Sequence, residues 1–235
     1  MTAAHPRLRE LCDGAGLSTA VADRLDVMLA LLAADPTAPT TVVDPIAAVE
    51  VHVADAFDGL TVPALREAST VADIGAGAGF PGLVLAACLP ATTFALVESV
   101  GKKCEFMGRL IEATGLDNAL PVHARAEAWP PGIGRHDAVT ARALAPLTAL
   151  VEYAAPLLVE GGALVAWKGA RDASEEADGL AAAEATGMML EAVHAVAPRP
   201  GADRRHLHVF RKTAPTPARF PRREGMARKR PLTAG

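Results

Sequence analysis

The spacing of apolar residues changes character about 70 residues into the chain. Before that point, apolar positions recur with the 3.6-residue period of an amphipathic helix. A second helix is predicted after the dipeptide Asp44-Pro45, because proline is favoured in the first turn of a helix. The first third of the chain is therefore predicted to be helical. The periodic apolar positions are Val21, Leu25, Met28, Leu29 and Leu32.

From residue 71 onward, short apolar runs alternate with helix-like segments. Seven runs predict strands, and the segments 82–88, 101–115 and 143–158 predict helices between them. The last two runs are separated only by a turn rich in proline and glycine, so we expect a hairpin whose last strand is antiparallel. The seven runs are VADIG, FALVE, LPVHA, HDAVTA, GALVAWK, MMLEAVHAV and RHLHVFRK.

This pattern predicts an α/β fold in which a doubly wound, mostly parallel, seven-stranded sheet is covered by helices on both faces. The chain has 235 residues, 51% of them apolar, which is enough for one sizeable core. We expect three parts: an N-terminal helical lobe over 1–66, a ligand-binding core over 67–213 that ends in the hairpin, and a tail over 214–235.

The net charge of −4 conceals an asymmetry along the chain. Residues 1–198 contain 12 Lys and Arg against 25 Asp and Glu, a net of −13, whereas residues 199–235 contain 11 against 2, a net of +9. Such a basic end is often only a solvated charge run. Here phenylalanine and prolines alternate with arginines in ARFPRREGMARKRPL, which suits contacts with phosphates and bases. A polyanionic partner is therefore plausible.

The cysteine spacing and the composition of the N-terminal segment indicate the cellular compartment of the protein. Cys12, Cys88 and Cys104 show no spacing typical of a disulfide framework or a metal site, so we expect no metal. The N-terminal segment carries charges where a signal peptide needs an apolar core, and the most apolar run, 82–97, is interrupted by proline and threonine. We expect a cytoplasmic monomer without membrane association.

The stretch VADIGAGAGFPG contains the clearest chemical signal. Gly75, Gly77 and Gly79 follow a predicted buried strand, and Pro81 occupies the predicted start of a helix. A tight turn alone would explain one or two of these glycines. Three of them at alternate positions indicate a loop that a ligand approaches closely, at the sheet edge where doubly wound folds bind cofactors.

Two cofactor patterns fit this stretch. G-x-G-x-x-G from Gly77 to Gly82, followed by Glu98, resembles a dinucleotide fingerprint, although it begins two residues late. D-x-G-x-G-x-G from Asp73 is the pattern of S-adenosylmethionine methyltransferases. The second is favoured, because Asp73 would repel a pyrophosphate but is compatible with a cationic sulfonium. In either case Glu98 is suited to accept hydrogen bonds from ribose hydroxyls.

Several motifs together resemble a known family. In order and spacing, VADIGAGAGFPGLVLA, LVESVGKKCEFM, HARAEAW, VTARALAPLTALVEYAAPLL and GGALVAWKG resemble the RsmG (GidB) family of 16S ribosomal RNA guanine-N7 methyltransferases. The segment VEVHVADAFDGL resembles the family's helix with His52 and Asp55. The resemblance implies a Rossmann-like class I methyltransferase fold, S-adenosylmethionine as cofactor, and the 16S RNA or 30S subunit as partner.

The cofactor candidates combine the glycine-loop pattern with positions that the resemblance implies. Glu127 could alternatively be an ordinary carboxylate at the start of a helix, and Arg142 a surface arginine paired with Asp137 or another carboxylate. The position of Arg142 after a strand favours a functional role. The cofactor candidates are Asp73, Gly75, Ala76, Gly77, Gly79, Phe80, Glu98, Ala126, Glu127 and Arg142.

Basic residues in two regions are candidates for RNA contact. Lys102 and Lys103 stand at the unfavourable end of a helix dipole, which an anion would explain, although ion pairs with Glu98 or Glu105 explain them equally well. The RNA-binding candidates are Lys102, Lys103, Arg219, Arg222, Arg223, Arg228, Lys229 and Arg230.

The chemistry implied by the family needs no acid or base, because guanine N7 carries an in-plane lone pair and no proton. We therefore assign no catalytic acid or base, and we expect Arg142 and Lys168 to orient the substrate. Two other classes remain open: a methyltransferase of this fold acting on a small molecule or a protein, and a nucleotide-binding module without catalysis.

Overall fold

The computed structural model describes residues 1–199 and 203–234. Seven strands form a single sheet in the order β3-β2-β1-β4-β5-β7-β6. Strands β1 to β5 pair in parallel, and β7 runs antiparallel to both of its neighbours. The strands are β1 (Thr70–Ile74), β2 (Thr93–Glu98), β3 (Ala119–His123), β4 (His136–Arg142), β5 (Leu158–Lys168), β6 (Met188–Ala195) and β7 (His206–Lys212).

Helices precede the sheet, connect its strands and follow it. A π-helical stretch, Val49–Ala54, joins α3 to α4 in one continuous helical segment, and short 3₁₀ turns lie at Asp58–Thr61, Ala126–Ala128 and Pro130–Gly132. The α-helices are α1 (His5–Gly14), α2 (Thr19–Ala34), α3 (Pro45–Ala48), α4 (Asp55–Phe57), α5 (Pro63–Arg66), α6 (Gly82–Cys88), α7 (Gly101–Thr114), α8 (Leu147–Ala154), α9 (Ala173–Thr186) and α10 (Met226–Lys229).

The predicted fold class is confirmed, including the hairpin with an antiparallel last strand. The turn predicted between the hairpin strands includes residues 200–202, which lie outside the described residues, as does residue 235 of the predicted tail. The predicted helix 143–158 is wrong at both ends. It begins after Pro146 and ends before Pro156, because proline disfavours helical backbone in the residue before it and breaks a helix interior.

Apolar packing covers both faces of the sheet. On one face, Leu25 and Leu29 of α2 belong to the same buried cluster as Leu83 of α6 and Phe94 of β2. The N-terminal helices therefore share a core with the sheet. On the other face, α8 packs against α9 and the sheet in a second cluster, which also contains Ala227 of the C-terminal segment. Both ends of the chain are thus fastened to the central fold.

Candidate functional site

The glycine loop begins at the carboxyl end of β1 and requires glycine for two reasons. Gly75, Gly77 and Gly79 have φ angles of 67°, 60° and 96°, a region that side chains disfavour. A Cβ atom on Gly75 would lie 2.5 Å from Leu144 Cδ1, and one on Gly79 would lie 2.3 Å from Leu83 Cδ1. The backbone conformation therefore disfavours larger residues at all three positions, and the packing does so at Gly75 and Gly79.

Asp73 lies beneath this loop and holds it to the sheet. Its Oδ2 atom accepts a hydrogen bond from Gly82 N at 3.0 Å, and Oδ1 accepts one from Thr140 Oγ1 at 2.8 Å. Burial raises the pKa of the Asp73 carboxyl to about 6, against the effect of these two donors. A Cβ atom on Gly82 would lie 2.7 Å from Asp73 Oδ2, so glycine at that position allows helix α6 to approach β1.

Glu98 ends β2 and faces the other side of the loop. Its Oε2 atom accepts a hydrogen bond from Gly77 N at 3.1 Å, and Oε1 accepts one from Val100 N at 2.9 Å. Lys103 Nζ lies 3.8 Å from Oε2. The carboxylate is thus fixed in one orientation by backbone amides on both sides. Ser99 Oγ also donates to Oε1 at 3.3 Å. Oε2 therefore retains a lone pair for a ligand, and the rotatable Ser99 hydroxyl can give up the second one on Oε1.

A cavity of about 300 Å³ opens at this edge of the sheet. Six of the residues predicted from the sequence line it: Gly75, Glu98, Lys103, Ala126, Glu127 and Arg228. Its remaining lining residues are Val97, Ser99, Val100, Ala124, Arg125, Ala143, Leu144, Tyr153 and Gly225.

Ala143 and Leu144 are lining residues that sequence reasoning missed. They immediately follow Arg142, and Ala143 has a φ of 54°, which is unusual for alanine. This turn directs Leu144 against Gly75 while Arg142 points elsewhere. An alanine in a left-handed conformation has no sequence signature, so its role could not be read from the chain.

Arg142 is directed toward the N-terminal helices. Its Nη1 atom donates hydrogen bonds to Asp55 Oδ2 and to Val51 O, both at 2.8 Å. Asp55 is only 1% exposed, and its Oδ1 atom also accepts from Arg205 Nε at 2.7 Å and from Arg199 Nη2 at 3.1 Å. One buried carboxylate therefore joins three arginines from distant parts of the chain. This contact agrees with the alternative prediction that Arg142 pairs with a carboxylate, and the carboxylate is that of Asp55.

His52 extends this network toward the glycine loop. The imidazole stacks on the Phe80 ring with centroids 4.4 Å apart and planes 2° from parallel. Its Nδ1 atom lies 3.2 Å from Arg142 Nη2, which is only a donor, so the proton belongs on Nε2, 3.2 Å from Val42 O. Burial, and secondly the charge of Arg142, lowers the His52 pKa to about 4. The ring is neutral near pH 7.

Two other predicted lysines, Lys102 and Lys168, do not line the cavity. Lys102 is exposed on α7. Lys168 Nζ donates to Glu175 Oε1 at 2.5 Å and to Ala145 O at 3.4 Å, outside the lining of the cavity. Six of the cofactor candidates do not line the cavity: Asp73, Ala76, Gly77, Gly79, Phe80 and Arg142. Four of these, Asp73, Ala76, Gly79 and Phe80, are buried.

The basic C-terminal segment packs along the cavity. Arg222 Nε donates to Glu152 Oε1 at 2.7 Å, and this glutamate is 2% exposed. Phe220 is buried, and Thr148 Oγ1 donates to Leu232 O at 2.6 Å. The tail is therefore attached at several points along its length. Five of its six predicted RNA contacts remain exposed: Arg219, Arg223, Arg228, Lys229 and Arg230.

Two negative findings concern the described part of the chain. Within residues 1–199 and 203–234, His, Cys, Asp and Glu side chains do not gather in groups of three or more that could hold a metal ion. No helix in those ranges has both the length and the apolar composition to cross a bilayer.

The residues that line the cavity are chemically suited to bind S-adenosylmethionine. Glu98 can accept hydrogen bonds from vicinal ribose hydroxyls, and the apolar surfaces of Ala124, Ala126 and Leu144 suit a purine ring. The lining holds two carboxylates, Glu98 and Glu127, and three cations, Lys103, Arg125 and Arg228, so it offers partners for both the ammonium and the carboxylate of the methionine part. Together with the strand order, this site defines a class I S-adenosylmethionine-dependent methyltransferase.

Solved structures and sequence relatives agree with this class. The fold is similar to that of M. jannaschii TYW2 in complex with AdoMet, with a TM-score of 0.52 and 18% identity over 67% of this chain and 76% of that one. It is also similar to a solved structure from Bacillus halodurans, with a TM-score of 0.54 and 17% identity over 68% of this chain and all of that one. At these identities the similarity concerns the fold.

The sequence comparisons identify the family. Residues 40–207 match the GidB family model, described as rRNA small subunit methyltransferase G. Curated relatives with the name ribosomal RNA small subunit methyltransferase G include those of Rubrobacter xylanophilus, 42% identical over 78% of this chain and 73% of the relative, and Chloroflexus aggregans, 40% identical over 82% of each. The chain belongs to this family and is an S-adenosylmethionine-dependent methyltransferase.

Proposed function

We propose that this protein methylates N7 of a guanine in 16S ribosomal RNA, within the 30S subunit or its precursor RNA. The observation that carries the proposal is the family match over residues 40–207, since relatives across this length are named for small-subunit ribosomal RNA. When bound, S-adenosylmethionine supplies an electrophilic methyl group on a sulfonium centre. The chain itself must bind the two substrates and align them.

The state of the nearby titratable groups supports N7 as the acceptor. His52 is neutral, with one ring nitrogen facing Val42 O and the other facing Arg142. Asp55 is enclosed by three arginines. Neither group is arranged to remove a proton from a substrate. Guanine N7 has no proton to lose, so methylation there requires alignment and no general base.

Arg142 is proposed to organise the substrate side of the site. It ends β4, next to the cavity-lining Ala143, and it connects this point to Asp55 and Val51 of the N-terminal helical segment. A guanidinium held in this way can fix the position of the N-terminal helices relative to the cofactor cavity. Lys168 remains a predicted substrate contact, to be tested by Lys168→Gln.

The RNA is proposed to approach the face formed by the basic tail. Exposed cations there provide contacts to phosphates, which are sequence-independent and weaken with salt. The reacting base must be unpaired or extruded, because N7 lies in the deep groove of an A-form helix that side chains cannot enter. A folded loop of ribosomal RNA meets this requirement.

The proposal is tested by the choice of methyl acceptor. Purified protein is incubated with labelled S-adenosylmethionine and, in separate reactions, unmethylated 30S subunits, free 16S RNA, 50S subunits and transfer RNA. We expect incorporation of about one methyl group per 16S RNA. Labelling of 50S subunits or transfer RNA in preference to both 16S substrates would contradict the proposal. Transfer only to a protein or a small molecule would favour a different class of methyltransferase.

A further inference from the structure

The C-terminal segment 219–234 forms part of the cofactor cavity as well as part of the basic face. Gly225 and Arg228 line the cavity together with Glu98 and Leu144. Arg228 Nη2 donates a hydrogen bond to Leu144 O, in the turn that follows β4. The same short stretch therefore contributes to the wall of the cavity and presents cations to solvent.

Two polar contacts attach this segment to the opposite wall. Gly225 N donates to Glu127 Oε1 at 3.2 Å. Glu224 Oε2 lies 3.2 Å from Arg125 Nε, and both side chains are more than half exposed. Arg125 and Glu127 themselves line the cavity, so any displacement of residues 224–225 changes its shape.

We propose that residues 219–234 are a wall of the cofactor site whose position links cofactor binding to RNA binding. This inference rests on the proposed function for its RNA partner. Filling the cavity holds Gly225 and Arg228 in place, which fixes the adjacent exposed cations Arg223, Lys229 and Arg230 for phosphate contact. Because binding linkage is reciprocal, RNA on these cations tightens cofactor binding by the same factor.

The exposed ion pair offers a variant that leaves the core intact. Glu224→Lys places a second cation next to Arg125. Because the two like charges repel each other, the substitution moves the tail away from the rim of the cavity. A matched control is Glu191→Lys, because Glu191 forms a partly exposed ion pair with Arg211 on the β6–β7 hairpin, away from the cavity. Both variants change the net charge by the same amount, so general attraction to RNA rises equally.

The first measurement is calorimetric titration of each protein with S-adenosylhomocysteine alone. We expect Glu224→Lys to weaken binding about five-fold or more and Glu191→Lys to leave it unchanged. Equal affinities for the two variants would overturn the assignment of the tail as a wall of the site. Melting curves check that both variants are folded.

The second measurement determines the affinity for unmethylated 30S subunits with and without saturating S-adenosylhomocysteine. The wild-type protein should bind the subunits about five-fold more tightly with the ligand, and Glu224→Lys should reduce this factor toward one. A factor of one in the wild-type protein would overturn the linkage. If methyl transfer to the 30S subunit fails altogether, the proposed function fails, while the calorimetric comparison still decides the role of the tail.

Discussion

Arg142 Nη1 lies 2.8 Å from Asp55 Oδ2, a contact between the end of β4 and the helical segment that precedes the sheet. Asp55 is almost completely buried, and a buried carboxylate is tolerated only when it is paired and hydrogen-bonded. Arg199 and Arg205 supply the other partners from the two ends of the connection between β6 and β7. This ion cluster joins the N-terminal helices, the cofactor edge of the sheet and the hairpin.

Asp55→Asn should therefore destabilise the protein by about 3 kcal/mol, because three arginines lose their shared anion in a buried setting. Urea unfolding of the purified variant measures the change. Asp58→Asn is the matched control, since Asp58 is more exposed and contacts Arg199. Similar unfolding free energies for the two variants would contradict a central role for Asp55.

His52 should make the protein sensitive to acid. Its folded-state pKa of about 4 lies below the ordinary value of 6.5, so the neutral ring stabilises the fold fully above pH 6.5. This contribution is lost as the pH falls from 6.5 to 4 and amounts to about 3 kcal/mol. The difference in unfolding free energy between the wild type and His52→Gln should shrink or reverse over that interval. Parallel pH curves would show that His52 does not titrate in this way.

Glu98 should determine cofactor affinity. Glu98→Gln removes a charged acceptor for ribose hydroxyls and leaves one of two backbone amides without its carboxylate partner, so the Kd for S-adenosylhomocysteine should rise about ten-fold. Glu105→Gln, on the exposed side of α7, should leave the Kd unchanged. Isothermal titration measures both. An unchanged Kd for Glu98→Gln would exclude Glu98 from the ligand contacts.

Arg222 should anchor the tail. Removing its side chain leaves Glu152 buried without its guanidinium, so Arg222→Gln should cost about 2–3 kcal/mol of stability. Arg219→Gln is the control, because the Arg219 guanidinium lies over the Phe220 ring in an exposed position. Denaturant unfolding distinguishes them. Equal stability of the two variants would show that the tail is held by its apolar contacts alone.

The fold could be predicted from the sequence because each pattern that indicates a strand or a loop lies within a short segment of the chain. Alternating apolar runs and the glycines after β1 defined the sheet and the ligand edge. Glu98 could be found for the same reason, since a polar residue ending a buried strand must face that edge. The predicted helix before β5 is longer than α8, because Pro146 and Pro156 limit α8 to Leu147–Ala154.

Contacts between residues that lie far apart in the chain could not be predicted from the sequence. No spacing in the sequence indicates that Asp55 meets Arg142, Arg199 and Arg205, which are 87 to 150 residues away. The basic tail was expected as a separate part, and its charge pattern gave no sign that Gly225 would line the cofactor cavity. Asp73 was expected to contact the cofactor. That contact stays a prediction. The hydrogen bonds that both Asp73 oxygens accept, from Gly82 and Thr140, could not be predicted, because only the packing of α6 and β4 on β1 brings these donors within reach.

The most direct test of the central claim is to map the methylated atom. Unmethylated 30S subunits are treated with the protein and labelled S-adenosylmethionine, and the 16S RNA is then cleaved by chemistry specific for N7-methylguanine. The account predicts cleavage at a single guanine in a loop, coincident with the label. Label without N7-specific cleavage, or cleavage spread over many guanines, would contradict it.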